Sequence, residues 1–123
     1  MNLAGLIASA VLLLGASTAA IAQTAGDPAK GKDAFEDRCT MCHQLHGGGQ
    51  GPGLAGVVGR KAGAQAGFQY SAALSGSGLT WTAANLDRFL SGSAKLVPGT
   101  AMFISISDPA VRADLIAYLA TQK

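Results

Sequence analysis

The chain has 123 residues, of which 49% are hydrophobic and 13% charged, and its formal net charge is +2. This length fits one domain. So small a charge does not imply strong binding to nucleic acid or to a very acidic partner, and any docking charge must be local.

The N-terminal segment is a separate compositional zone, because no Lys, Arg, Asp or Glu precedes Asp27. An apolar run at residues 3–14, followed by small residues and Ala20-Ile21-Ala22, predicts a signal peptide over 1–22 and a mature domain over 23–123. The segment lacks an early Lys or Arg and is long enough to span a membrane, so an uncleaved anchor is the alternative. Both interpretations predict export, with the periplasm as the destination.

Asp27-Pro28 predicts the start of the first helix, with Asp27 as N-cap and proline at the first helical position. Gly31, Phe35 and Cys39 follow at spacings of four and share one face. Glycine in mid-helix costs stability unless another element packs closely against it. We therefore predict that a second helix packs at Gly31 and Phe35.

Cys39-Thr40-Met41-Cys42-His43 is a C-x-x-C-H motif. Two thiols at this spacing can add to the vinyl groups of one haem, and the next imidazole can bind its iron. The motif predicts one haem c, covalently bound through Cys39 and Cys42, with His43 as an iron ligand.

Three other interpretations of the motif are open. A thioredoxin-like redox pair belongs near a βαβ pattern, which the sequence lacks. A zinc site would crowd Cys39, Cys42, His43 and His46 into eight residues. A single structural disulfide also suits an exported protein.

Residues 44–69 have no sustained hydrophobic period, and nine of the 17 glycines lie between positions 47 and 67. A structureless loop of this length is unusual in a compact domain. It is explained if the loop packs on a cofactor, because glycines and Gly51-Pro52 let the backbone approach a flat ring.

The second half of the chain predicts a short helical turn near residues 71–74 and two longer helices. Thr82 is an N-cap for a helix with Leu86, Phe89 and Leu90 on one face, ending at Gly92. Residues 93–107 are predicted to be extended. Asp108-Pro109 then starts an amphipathic helix, whose apolar positions are Val111, Leu115, Tyr118 and Leu119. The fold class is all-α, with three main helices, a short helix and long loops around a prosthetic group.

The second iron ligand has few candidates: His46, Met41, Met102, Met1 or none. Met1 leaves with the signal peptide, Met41 lies inside the attachment loop, and His46 is too close to His43 to cross the ring. Met102 lies in an extended loop and is the predicted ligand, although a methionine can also be core filler. His/Met ligation is typical of electron transfer, and two protein ligands leave no open site for catalysis, so we predict no enzymatic activity.

The chain resembles class I cytochrome c, the group shared by mitochondria and the soluble periplasmic c2-like carriers of proteobacteria. The resemblance extends from Gly26 to about Leu119. It is carried by Gly26-Asp27, Gly31, Phe35, Cys39-x-x-Cys42-His43, Gly51-Pro52-x-Leu54, Gly59-Arg60-Lys61, Gly67-Phe68-x-Tyr70, Thr80-Trp81, Pro98-Gly99-Thr100-x-Met102 and Asp114-Leu115-x-x-Tyr118-Leu119.

The resemblance implies a class I cytochrome c fold and a role for each matching residue. Cys39 and Cys42 would carry the thioethers, and His43 and Met102 would be the axial ligands. The carbonyl of Pro52 would accept a hydrogen bond from the far nitrogen of His43. The residues implied to face a buried haem propionate are Arg60, Tyr70 and Trp81. Gly31 and Phe35 would meet Leu115 and Tyr118 where the terminal helices cross.

Three positions depart from the mitochondrial pattern. Phe89 stands where a tyrosine often supports the methionine sulfur, and Leu74 stands where a polar amide is common. Both changes predict a drier haem pocket. Ala101 replaces a common lysine, and the basic rim is reduced to Arg38, Lys61 and Lys95.

The implied function is one-electron transfer through an exposed haem edge near the two cysteines. The implied partners are a quinol–cytochrome c reductase-like donor and an oxidase or reaction-centre-like acceptor, and the expected state is a monomer that does not insert in the membrane once the signal is cleaved. The alternatives are a haem c subunit of a larger oxidoreductase and an open-site gas-binding or peroxidase-like cytochrome.

Overall fold

The structure is a computed structural model that describes residues 25–123, so the predicted signal peptide at residues 1–22 lies outside the described part. Five helices follow one another: α1 Pro28–Arg38, α2 Ala72–Ser75, α3 Ala83–Ser91, α4 Ser93–Leu96 and α5 Pro109–Thr121. Between residues 25 and 123 the only β-type pairing is one isolated bridge, Lys61 with Thr80. The predicted all-α class is confirmed.

The three main helices begin where their capping residues predict. The Asp27 carboxylate accepts from the Ala29 amide at 2.9 Å, and the Thr82 hydroxyl accepts from the Asn85 amide at 3.1 Å. Asp108 does the same for the start of α5. These side chains satisfy amides that the first helical turn leaves without a backbone partner.

The prediction that residues 93–107 are extended is wrong for the first four of them, which form α4. Gly92 closes α3 and has extended backbone at φ −179°. One further helical turn follows, formed by Ser93–Leu96. The helix ends before Val97, because the residue that precedes a proline is disfavoured in the helical region.

The terminal helices α1 and α5 cross at Gly31, where the two helix backbones approach too closely for a side chain at this position. A Cβ built on Gly31 would overlap the Asp114 carbonyl oxygen and lie 2.7 Å from the Cβ of Tyr118. The Phe35 and Tyr118 rings pack beside this point, with centroids 5.4 Å apart. The predicted packing of a second helix on Gly31 and Phe35 is therefore confirmed.

Helix α3 is held against α5 by Arg112, whose Nε donates to Asp87 Oδ1 at 2.7 Å. The buried hydrophobic residues between the helices form one core: Phe35, Val57, Trp81, Leu86, Phe89, Leu90, Val97, Ile106, Leu115 and Leu119. Among residues 25–123, none of the helices has both the length and the apolar composition needed to cross a membrane.

Candidate functional site

The C-x-x-C-H motif lies in a tight turn at the end of α1. Cys39 is the C-cap, and its carbonyl accepts from the amides of Cys42 at 3.1 Å and His43 at 2.8 Å. The two ends of the motif are thus joined by hydrogen bonds to a single carbonyl oxygen. The turn brings the Cys39, Cys42 and His43 side chains to the wall of the same cavity.

The loop after the motif folds back and fixes the His43 ring. Leu54 and Ala55 donate to the carbonyls of Gln44 and Leu45, and Gly51 donates to that of Cys42. This return places the Pro52 carbonyl 2.8 Å from His43 Nδ1. With the proton on Nδ1 directed at the carbonyl, the lone pair of Nε2 is available to a metal, which is the usual way a protein orients a histidine ligand.

Gly51 leaves the space that the His43 ring occupies. A Cβ built on Gly51 would overlap the imidazole, and one built on Gly49 would overlap the Cys42 carbonyl oxygen. His43 is consequently one of the few buried polar residues in the described part of the chain. Glycines in this loop are therefore needed where its backbone packs against the motif, in addition to any close approach to a cofactor in the cavity.

The cavity has a volume of about 390 Å³, within the range of small-molecule and cofactor sites. Its walls come from the motif, the glycine-rich loop, α2, α3, α5 and the segment after α4. The apolar wall residues include Leu54, Val57, Phe68, Leu74, Leu86, Phe89, Leu90, Ala101, Phe103, Ile104, Leu115 and Leu119. A mostly apolar cavity with a few polar groups fits a flat aromatic cofactor that has one polar edge.

Met102 is the one candidate for a second iron ligand, among those in residues 25–123, that lines this cavity. Met41 is 88% exposed, and His46 is also exposed and does not reach the cavity wall. The Met102 amide donates to the hydroxyl of buried Thr100 at 3.3 Å. The structure therefore brings Met102 and the motif together and leaves Met41 and His46 outside.

Arg60, Tyr70 and Trp81 all line the cavity, as the resemblance implies. Within residues 25–123, the Arg60 guanidinium donates to the carbonyls of Gly53 and Ala55 at 3.0 and 3.2 Å. In the same part of the chain the Tyr70 hydroxyl and the Trp81 indole N–H have no protein acceptor. Trp81 is buried and Tyr70 half-buried. Aromatic donors in such positions normally find a partner, so an acceptor inside the cavity, such as a propionate, fits these residues.

All three departures from the mitochondrial pattern lie in the cavity wall. Leu74 lines it from α2, and Phe89 lines it from α3 with its ring centroid 4.9 Å from that of Trp81. Neither side chain carries a hydrogen-bonding group. This part of the wall is therefore apolar, in keeping with the drier pocket that the sequence predicts.

Burial raises the pKa of the Cys39 thiol to about 11. The neighbouring Arg38 charge lowers this pKa, but its effect is smaller than that of burial. Cys42 is exposed, and no disulfide joins it to Cys39. A thiol with a raised pKa is a poor match to a redox-active C-x-x-C pair, in which a lowered pKa supplies the thiolate. His46, the fourth residue of the zinc interpretation, is exposed and does not line the cavity that Cys39, Cys42 and His43 share.

Several polar residues of the site have no role predicted from the sequence. Gln50, Ser71 and Thr100 line the cavity, and buried Ser93 bonds to the Met102 loop from behind. Thr100 lies inside the Pro98-Gly99-Thr100-x-Met102 block, so its place was available from the motif. Ser93 has no such signal, because its partners are nine and eleven residues away.

Comparison with known proteins gives concordant matches over most of the chain. A family model described as Cytochrome c matches residues 28–123. Cytochrome c2 of Rhodomicrobium vannielii is 49% identical over 107 residues, which cover 84% of this chain and 85% of that protein. Cytochrome c of Tetrahymena pyriformis is 47% identical over 96 residues, covering 76% and 87% respectively.

A solved structure is similar in fold as well as sequence. Cytochrome cH from Methylobacterium extorquens superposes with a TM-score of 0.76 at 49% identity, covering 79% of this chain and all of that one. At this identity and coverage the similarity extends beyond the motif to the helices and loops that form the cavity.

Proposed function

The chain belongs to the cytochrome c family, and we propose that it transfers single electrons between redox proteins through a haem whose iron is bound by His43 and Met102. Its cofactor is one covalently bound haem c, and proteins of this family are electron carriers rather than enzymes. The observation that carries the proposed ligation is the cavity wall, where Met102 joins Cys39, Cys42 and His43.

Haem c, when bound, supplies an iron that accepts and releases one electron. The residues of the chain determine what happens around it. Pro52 holds the His43 ring in one orientation through the 2.8 Å hydrogen bond to Nδ1, and the apolar walls exclude water from the cavity. With His43 and Met102 both held by packed loops, little rearrangement accompanies electron transfer, and no position is left for substrate.

Arg60, Tyr70 and Trp81 are proposed to hold the polar edge of the haem. Arg60 and Trp81 are linked through their backbones, because the Trp81 amide donates to the Arg60 carbonyl at 2.8 Å. A guanidinium, a phenol and an indole would provide three kinds of donor to a propionate. Such donors compensate for removing a carboxylate from water.

Absorption spectroscopy of the holoprotein tests the ligation. A pyridine haemochrome of the c type establishes covalent haem, and a weak far-red sulfur-to-iron band in the ferric protein establishes methionine ligation. Met102→Ala is expected to abolish the band. Met41→Ala is the matched control, because Met41 is 88% exposed and lies outside the cavity wall, and it is expected to keep the band.

The opposite result would support an open-site cytochrome. If the wild-type ferric protein lacks the band and its reduced spectrum shifts with carbon monoxide, the sixth site is open or labile. Met102 would then be a core residue, and a gas-binding or peroxidase-like function would replace the carrier.

We further propose that the carrier is a soluble periplasmic monomer. It would accept electrons from a quinol-oxidising membrane complex and deliver them to an oxidase or a reaction centre. The predicted signal peptide and the similarity to bacterial proteins named cytochrome c2 support this location. Intact-mass analysis tests cleavage before Gln23, and gel filtration of native extract distinguishes a free carrier from a subunit of a larger oxidoreductase.

A further inference from the structure

Ser93 is the first residue of α4 and is among the most buried side chains of the described chain, with 1% of its surface exposed. Its hydroxyl lies against the loop that carries Met102. Ser93 Oγ is 2.7 Å from the Met102 carbonyl oxygen, and the Ile104 amide is 2.9 Å from Ser93 Oγ. The hydroxyl thus bonds to the backbone on both sides of Phe103.

The hydrogen-bond directions follow from the inventory of a serine hydroxyl, which has one proton and two lone pairs. The proton goes to the Met102 carbonyl, because the alternative acceptor, the Ile104 carbonyl, is at 3.3 Å. A lone pair accepts from the Ile104 amide. The Ser93 amide completes the arrangement by donating to the Ile104 carbonyl at 3.1 Å.

We propose that Ser93 is a positioning residue that clamps the Met102 loop and thereby keeps the methionine sulfur on the iron. The inference rests on the proposed Met102 ligation. Met102 is half-buried in a segment without helix or strand hydrogen bonds, so its backbone is otherwise fixed mainly by the Thr100 hydroxyl at 3.3 Å. Removing the Ser93 hydroxyl leaves a carbonyl and an amide without their partner, and unsatisfied buried groups are costly.

The expected consequence is a larger population of the open form, in which Met102 has left the iron. An external ligand such as imidazole binds only that form, so its apparent affinity rises with the open fraction. We expect Ser93→Ala to raise the apparent imidazole affinity of the ferric holoprotein about tenfold or more, since a tenfold change needs only about 1.4 kcal/mol.

Ser105→Ala is the matched control. The Ser105 hydroxyl donates to the Ser91 carbonyl at 3.0 Å, so it also links the α3–α4 junction to the segment after Met102. Ser105 is exposed and three residues beyond the ligand. Its alanine variant is expected to change the imidazole affinity less than twofold.

Imidazole titration and chemical denaturation of the two variants separate a positioning role from a merely structural one. A Ser93→Ala protein that unfolds more easily but binds imidazole like the wild type would overturn the clamp. So would equal effects of the two variants. If the wild type itself has no far-red sulfur-to-iron band, the ligation and the clamp both fail, whereas a wild-type band with unchanged imidazole binding in Ser93→Ala refutes the clamp alone.

Hydrogen exchange of the wild-type holoprotein provides a second test that needs no variant. Saturation with imidazole is expected to accelerate exchange of the Ile104 amide, which the Ser93 hydroxyl protects, and to leave the Trp81 amide unchanged. Unaltered protection of Ile104 would mean that Met102 leaves the iron without opening the Ser93 hydrogen bonds, and the proposal would be wrong.

Discussion

Glycine at position 51 determines the orientation of the proposed iron ligand, because a Cβ there would overlap the His43 imidazole. The ring is also held by the Pro52 carbonyl at 2.8 Å from Nδ1. A residue without a side chain and a residue that contributes only its backbone therefore act together on His43. Neither would be identified by asking which side chains can bind iron.

We predict that Gly51→Ala lowers the free energy of unfolding of the holoprotein by about 1–3 kcal/mol, the usual cost of overpacking a close contact. The added methyl group forces the imidazole or the loop to move and weakens the bond to Pro52. Denaturation by guanidinium chloride, followed by circular dichroism, measures the change.

Gly92→Ala is the control for this substitution. Its Cβ would make an ordinary contact at 3.7 Å with the Lys95 side chain, and its φ of −179° is accessible to alanine. We expect a change of less than about 0.5 kcal/mol. Equal losses in the two variants would mean that the space beside His43 is not needed.

At the scale of secondary-structure elements, the crossing of α1 and α5 is limited by backbone contact. A Cβ on Gly31 would overlap the Asp114 carbonyl oxygen, and neither backbone can move without separating the helices. We predict that Gly31→Ala lowers the free energy of unfolding by about 2 kcal/mol, although alanine in a helix is intrinsically better than glycine by about 1 kcal/mol. Thermal unfolding of the holoprotein measures the loss.

Lys30→Ala tests an exposed position next to Gly31 on the same helix. It improves helix propensity slightly and removes no packing, so a change within about 0.5 kcal/mol is expected. If Gly31→Ala instead stabilised the protein, the close approach of the two helices would have no energetic role.

Arg112 lies on α5 and connects it to two other parts of the fold. Its side chain donates to Asp87 on α3 and, at 2.7 Å, to the Ile106 carbonyl in the segment between α4 and α5. The Asp87 side chain is 45% exposed, so the ion pair itself contributes less than about 1 kcal/mol. We therefore predict that Arg112→Ala costs about 1–3 kcal/mol and Asp87→Ala clearly less, as measured by chemical denaturation. A larger loss in Asp87→Ala would show that the ion pair dominates.

At the scale of the whole molecule, local signals predicted most of the fold. Asp27, Thr82 and Asp108 cap the three main helices because capping depends on residues two or three positions away. Helix α4 was missed because it has four residues and no side-chain cap, too little for a periodic pattern.

The residues of the site also divide into those that local sequence motifs predict and those that they do not. The motif and the sequence blocks that carry the resemblance led to all eight predicted site residues. Each of them lines the cavity, and Pro52 also contacts His43. The Ser93 contacts to Met102 and Ile104 were not predictable, because they depend on how two irregular segments lie side by side. Such contacts have no fixed sequence spacing.

The surface around the cavity opening combines few charges with exposed apolar groups. Phe103 lines the cavity and is 81% exposed, and Ala101 beside Met102 is also exposed. Arg38 is the exposed cation at the cavity wall. Because charges steer association over about a Debye length, a rim with few cations predicts that electron transfer depends weakly on salt.

We predict that the stopped-flow rate of oxidation by ferricyanide, a small anion, changes little between low and high ionic strength. Phe103→Lys adds a cation at the cavity opening and is expected to increase the rate at low salt several-fold and to make its decline with salt steeper. Ala29→Lys, at an exposed position of α1 outside the cavity wall, adds the same charge to the whole molecule and is expected to have a smaller effect. A steep decline in the wild type would contradict the weak salt dependence. Equal effects of the two lysines would mean that the overall charge governs the encounter, since only a local effect distinguishes the two positions.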